Sequence, residues 1–165
     1  MKQIKLTQGK FATVDNRDFE WLNQWKWRVS GEKVLRCELK NEYGNNKRGN
    51  RLMSREIMKH NGVNIKNLVV DHIDHNTFNN QMSNLRPATV SQNAANTILA
   101  KNNTSGYKGV YWSKQIKRWV ARICVNKKNI HLGCSCNLQK MVELYDKKAK
   151  LYFGSYSLTN GGMNL

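Results

Sequence analysis

Asp71 and His72 stand side by side in the stretch VVDHIDHNTFNNQMSNLRPATVSQNAA, which runs from Val69 to Ala95. Asn84 follows twelve residues after His72, and Asn93 nine after that. These residue types can do hydrolytic chemistry together. A neutral imidazole, with an ordinary pKa near 6.5, accepts a proton from water at neutral pH. A carboxylate brings negative charge to a hard cation, and an Asn side-chain carbonyl coordinates without adding charge. Hydrolysis needs a nucleophilic water, a cation to meet the developing charge, and positioning.

The elements that must hold these side chains read as strand, loop, strand, helix. Val69 and Val70 are a β-branched lead-in, and Leu85, Ala88 and Val90 form a second short run. Ser91 stands where a helix N-cap would stand, ahead of Gln92-Asn93-Ala94-Ala95. Asn79 and Asn80 read as a turn, because Asn tolerates left-handed backbone angles. Asp74 and His75 read as loop residues beside the pair.

The residues DHIDHN, NLRPAT and QN resemble the HNH (ββα-metal) nuclease motif, in the variant where Asp-His opens the motif and Asn closes it. The whole chain resembles HNH homing endonucleases of the phage or intron-borne type, and its opening LTQGKFATVD is similar to theirs. The resemblance implies that His72 is the general base, that Asp71 and Asn93 ligate one divalent ion, Mg²⁺ or Mn²⁺, and that Asn84 pins the loop through hydrogen bonds. It also implies that Asp71 and His72 serve one site, although neighbours on a flat strand face opposite ways; a twisted or bulged strand end allows this. Relatives commonly carry Gly at the position of His75, and many carry a His in the short helix before the motif, where this chain has Met53-Ser54-Arg55.

Composition agrees with a polyanionic partner. The chain has 165 residues, with 28 Lys and Arg against 11 Asp and Glu, a net charge of +17. It has no run of about eighteen apolar residues, so no transmembrane helix is expected. The start MKQIKLTQGKF lacks the apolar core of a signal peptide, which makes the cytoplasm the expected compartment. The thiols of Cys37, Cys124, Cys134 and Cys136 are then expected to be reduced. The Cys134-Ser135-Cys136 spacing is too close for the usual zinc knuckle, which argues against a zinc site with His131.

Residues 1–60 read as a small mixed region. Ile4 to Leu6 and Lys10 to Val14 form short strands around Gln8-Gly9, and Asp15-Asn16 caps a helix carrying Phe19 and Leu22. Trp25 to Val29 alternates apolar with basic, the pattern of a half-buried strand, and Val34 to Leu39 returns after a turn at Ser30 to Lys33. Trp21, Trp25 and Trp27 are expected in the core. Residues 41–50 read as a polar, Gly-rich loop, Leu52-Met53 as a strand, and Ser54 as the cap of a helix from Arg55 to His60 that Asn61-Gly62 stops.

After a turn-rich linker, the last third carries Tyr107-Lys108-Gly109-Val110, Trp119 to Ile123, His131-Leu132-Gly133 and Tyr145-Asp146. These resemble the plant Apetala-two/ethylene-response-factor DNA-binding domain. That family's fold is three antiparallel strands on one helix, with the sheet in the major groove. The resemblance puts the DNA-facing positions at Lys108, Tyr111, Arg118, Arg122 and His131; relatives commonly have Arg at the first two. The residues themselves agree. Trp119, Ala121 and Ile123 alternate with Val120, Arg122 and Cys124. Asn126 to Asn129 is a basic hairpin turn, and its Lys127 is expected on phosphate, as are Lys114, Lys117 and Lys128. Asn137 caps a helix whose Leu138, Met141, Val142, Tyr145 and Ala149 face the sheet, and Gly154 ends it.

The expected fold class is α+β: a mixed region over 1–60, a ββα-metal core over 61–100, a linker over 101–106, and a three-stranded sheet on one helix over 107–160. The expected function is a metal-dependent DNA endonuclease acting on double-stranded DNA, without membrane association. The oligomeric state is open, with a monomer as the default. The alternatives are a regulatory DNA-binding protein whose nuclease centre has decayed, and an RNA-binding structural protein.

Overall fold

Turn-forming residues recur so closely along this chain that its described strands are only three to eight residues long. The computed structural model describes residues 1–38 and 49–162. It divides into two compact units, Met1–Ala88 and Thr89–Leu165. The class is α+β, with short sheets and helices in both.

In the first unit β1 (Lys2–Lys5) and β2 (Phe11–Val14) pair antiparallel, with Ile4 opposite Ala12. The tight turn between them uses Gln8 and Gly9 at positive φ. Helix α1 (Asn16–Leu22) follows. Then β3 (Arg28–Ser30), β4 (Lys33–Glu38) and β5 (Gly49–Leu52) make an antiparallel sheet in that order. Gly31, at φ 59°, closes the two-residue turn that sets Ser30 against Lys33. Helix α2 (Met53–His60) leads to the two-stranded ribbon of β6 (Val69–His72) and β7 (Leu85–Ala88). One core, including Ile4, Val14, Leu22, Trp27, Ile57 and Leu85, supports them all. Trp27 is buried as expected, and its indole donates to Leu22 O at 2.9 Å. Trp21 and Trp25 pack against this core partly exposed; Trp21 stacks on His60, and the Arg36 guanidinium lies over Trp25.

The second unit holds α3 (Val90–Asn96), then β8 (Val110–Ser113), β9 (Arg118–Val125) and β10 (Lys128–Ser135) as an antiparallel sheet with β9 central, and α4 (Leu138–Phe153). Met141, Val142, Tyr145 and Ala149 of α4 are buried with Val110, Ala121 and Ile123 of the sheet. The β9–β10 turn is two residues, Asn126 and Lys127, both at positive φ. Asn137 caps α4, accepting from Lys140 N at 3.0 Å, and Gly154 ends it at φ 54°.

Several boundaries differ from the sequence reading. The cap of α3 is Thr89, not Ser91: Thr89 Oγ1 accepts from Gln92 N while Gln92 Oε1 accepts from Thr89 N, a reciprocal capping box. Val90 is therefore helical and 65% exposed rather than a strand residue. Ser91, two residues past the cap position, accepts from Asn126 N instead. Helix α2 begins at Met53, with Ser54 buried in its first turn, because apolar burial of Met53, Ile57 and Met58 sets the start. The strand expected over Trp25 to Val29 begins only at Arg28; Trp27 makes a lone parallel bridge to Leu6. Asp15 occupies the N-cap position of α1 without capping, since its carboxylate accepts from Gln81 Nε2 and Met82 N. Of the expected polar loop, Gly49 and Asn50 belong to β5, and residues 41–48 lie outside the described residues.

Gly109 shows how tightly the sheet of the second unit meets α4. Its φ is 71°, and a Cβ there would overlap the Tyr145 ring and stand 2.8 Å from Arg122 O. Gly109→Ala should therefore lower stability by about 3 kcal/mol, combining backbone strain and overpacking. The midpoint of denaturant unfolding, compared with the parent chain, measures it.

Candidate active site

β6 ends in Asp71 and His72, and the antiparallel register sets Asp71 opposite Arg86 and His72 opposite Leu85. Asp71 is 4% exposed, and its Oδ2 accepts from Arg86 Nε at 2.8 Å. A carboxylate has about four acceptor positions, and Arg86 Nε takes one of Asp71's.

His72 is half-buried, and its Nε2 lies 3.3 Å from Asn80 Oδ1. Asn80 is 1% exposed, and its own amide nitrogen donates to Thr77 O at 3.0 Å. That bond leaves the Asn80 carbonyl to face His72, where it accepts from Nε2 in the tautomer protonated there. Burial lowers the imidazole pKa, opposed in part by the Asn80 hydrogen bond and by the charges of Asp74 and Asp71. The ring is neutral at pH 7 and fit to accept a proton.

The loop from residue 73 to 84 is folded around Asp74. Its Oδ1 accepts from Asn76 N and from Asn84 Nδ2, each at 2.8 Å, and its Oδ2 accepts from Asn79 Nδ2 at 2.8 Å. Asn84 answers with its Oδ1, which accepts from Asp74 N at 3.0 Å, and its Nδ2 also donates to Asn79 O. The left-handed residue of the loop is His75, at φ 64°, and not Asn79 or Asn80. A Gly would suit that backbone better. The loop is anchored to β2 by Asn80 N to Thr13 O and Thr13 N to Phe78 O, each at 2.8 Å.

Asp71, His72 and Asn84 thus lie on one short ribbon and its loop in the first unit, each with its own partners, while Asn93 is carried by α3 of the second. Among the described residues no group of three or more His, Cys, Asp or Glu side chains converges. One carboxylate beside one neutral imidazole suits a hard, largely water-ligated cation rather than a closed zinc site. Cys124, Cys134 and Cys136 are free, exposed thiols. Sequence reasoning missed Asp74 as the loop's centre, Asn80 as the partner of His72, and Arg86 as the partner of Asp71. The run Asp74-His75-Asn76 followed by Asn79, Asn80 and Asn84 was the available signal for the first two.

In the second unit Tyr111, Arg118, Arg122, Lys127 and His131 are all exposed, and His131 is the register partner of Arg122. The Arg122 guanidinium lies 5.6 Å from the Tyr111 ring centroid. A bulge between His131 and Gly133 gives β10 an extra residue there. Lys108 differs. Its ammonium donates to Ala95 O at 2.5 Å and Thr97 O at 2.7 Å, and burial pushes its pKa down to about 8 against the pull of Asp146.

A family model described as HNH endonuclease matches residues 56–95, the span that holds the C-terminal part of α2, the ribbon and most of α3. Protein 3.8 of Escherichia phage T7 is 33% identical over 92 residues, covering 56% of this chain and 76% of that protein. An uncharacterized HNH endonuclease of Acanthamoeba polyphaga mimivirus is 32% identical over 93 residues, 56% of this chain and 47% of that protein. No solved structure matches the chain. The chain belongs to the family of the phage protein and carries an HNH endonuclease domain at residues 56–95. No helix among the described residues is long and apolar enough to cross a membrane.

The Asp74 cluster makes a pH prediction. Burial raises the carboxyl pKa, but the bonds from Asn79, Asn76 and Asn84 and the nearby His72 outweigh it and hold it below its ordinary value of 3.8. A depressed folded-state pKa contributes stability above the unfolded value and loses it as pH falls through the folded one. Asp74→Asn should destabilise the first unit at neutral pH, and the gap to the parent chain should narrow below pH 3.8. Denaturant midpoints measured against pH test this.

Proposed function

We propose that this chain is a metal-dependent DNA endonuclease of the homing type, cutting duplex DNA with His72 as general base. The observation that carries the reading is the HNH match over residues 56–95, which contains a half-buried, neutral imidazole at the end of a β-ribbon. His72 Nδ1 would take the proton from the attacking water while Asn80 holds the ring through Nε2. Asp71 would hold Mg²⁺ or Mn²⁺, and the family pattern gives the same role to Asn93. The bound cation would supply charge stabilisation at the phosphate. Asn84, through its bonds to Asp74 and Asn79, is a positioning residue.

The second unit would bind the duplex with the sheet face that bears Tyr111, Arg118, Arg122 and His131, as the Apetala-two-like pattern implies. The reading is supported by the exposure of these side chains and by the net charge of +17. Lys127 at the β9–β10 turn would meet phosphate. The partition of the sequence into 1–60, 61–100 and 107–160 is proposed as the functional division: flank, cleavage core and DNA anchor.

The pairing of Asp71 with Arg86 favours one second reading, a DNA-binding protein whose cleavage centre is silent, because the ion would share that carboxylate with a guanidinium. Supercoiled plasmid incubated with and without Mg²⁺ or Mn²⁺ separates the two. The endonuclease should cut only with metal, and His72→Ala should slow cleavage about 100-fold or more while duplex affinity stays near the parent value. Persistent cutting by His72→Ala removes that residue from the mechanism.

The anchor has its own test. Arg122→Ala should cost roughly 1–3 kcal/mol on a preferred duplex and relax selectivity at one position. Lys127→Ala should weaken all duplexes alike and lower the salt slope by about one unit. Equal weakening of preferred and scrambled duplexes by Arg122→Ala would make it a backbone contact.

A further inference from the structure

Beside α2, where the chain turns toward β6, lies a cleft of about 460 Å³ lined by Arg55, Lys59, Lys66 and residues 62–65. Three cations line it and no carboxylate does. The loop that forms its wall is firmly built. Gly62 N donates to Lys59 O at 3.0 Å and Val63 N to Met58 O at 2.9 Å. Lys66 N donates to Asn64 Oδ1 at 3.0 Å, and Leu68 N to Ile65 O at 3.2 Å. Arg55 ties the loop to the helix, donating from Nη1 to Leu68 O at 2.6 Å and from Nη2 to Ile65 O at 3.4 Å.

These bonds leave donors over. A guanidinium carries five N–H groups, and two are used. The N–H groups of Asn64 and Ile65 donate to no partner among the described residues. Lys59 and Lys66 are exposed, and both line the cleft. Lys59 sits in the last turn of α2, where the helix dipole favours a cation. Lys66 follows the loop and has no such tie.

We propose that this cleft binds a backbone phosphate of the DNA that the chain acts on; the proposal rests on the DNA reading above. Like charges gathered around a concavity without a counter-charge repel one another, and an anion relieves the repulsion. A phosphodiester offers two unesterified oxygens to a guanidinium and to ammonium donors, with backbone N–H groups beside them. Duplex DNA presents a charge about every 1.7 Å of its axis, so neighbouring phosphates can engage the two lysines as well. Arg55 shapes the cleft and the two lysines supply its removable charge.

The test is duplex binding by the full chain across a salt series in EDTA. Lys59→Ala with Lys66→Ala should reduce the salt slope by about two units and weaken every duplex sequence alike. Lys59→Arg with Lys66→Arg should keep the parent slope. Thermal melting of each variant reports on the fold, which two exposed side chains should leave unchanged. An unchanged slope in the Ala pair overturns the proposal. So does equal loss in the Arg pair, which would mean that shape rather than charge was removed. Inorganic phosphate, matched for ionic strength with chloride, is the remaining arm: it should displace duplex from the parent chain more than from the Ala pair, whereas phosphate that binds the parent chain in a lysine-dependent way and leaves its duplex affinity unchanged makes the cleft a free-phosphate site, and the DNA assignment fails. Binding is read without divalent metal, so a chain that proves unable to cut still gives the result.

Discussion

One carboxylate organises the loop on which the candidate active site stands. Asp74 accepts from Asn76, Asn79 and Asn84, and those three bonds draw residues 73–84 into a single conformation. The conformation puts Asn80 Oδ1 against His72 Nε2. It also lets Asn80 and Phe78 pair with Thr13, so the opening strands of the chain and the site share one frame. Asp74 is exposed. Its influence comes from reaching several neutral donors at once, each bond strengthened by the charge.

The order and type of elements were largely readable from the sequence. Alternation placed β9, Asn137 and Gly154 bounded α4, and Gly31 marked the turn into β4, because each of these signals is local. The misplacements share a physical cause. Thr89 and Ser91 are both good caps, and only the reciprocal bond with Gln92 decides between them. Ser54 had the right chemistry for a cap, but Met53 is fully buried and carries the helix one turn position earlier. Asp15 was spent on a partner sixty-six residues away.

The site was legible in kind more than in arrangement. Asp71, His72 and Asn84 were visible as a spaced set of residue types, and the last does engage the loop by hydrogen bonds. Their partners were not visible. Arg86 meets Asp71 only because the β6–β7 register aligns them, and register depends on a loop whose length alone does not define it. Asn80 looked like a turn former because Asn so often is one, and burial, not sequence, assigns its carbonyl to His72.

Asn160 has a consequence of a different kind. Its amide pairs with both backbone groups of Lys108, accepting at 2.6 Å and donating at 3.3 Å, while Asp146 receives its other donors. These bonds link residues 52 positions apart, at the entrance to β8. On a ribosome the first unit has all its described strands once residue 88 has left the exit tunnel, whereas the second lacks this clasp until residue 160 emerges. Through most of its synthesis, then, the sheet that would carry the DNA-facing arginines exists as strands without their final fastening. The first unit is free to settle before it.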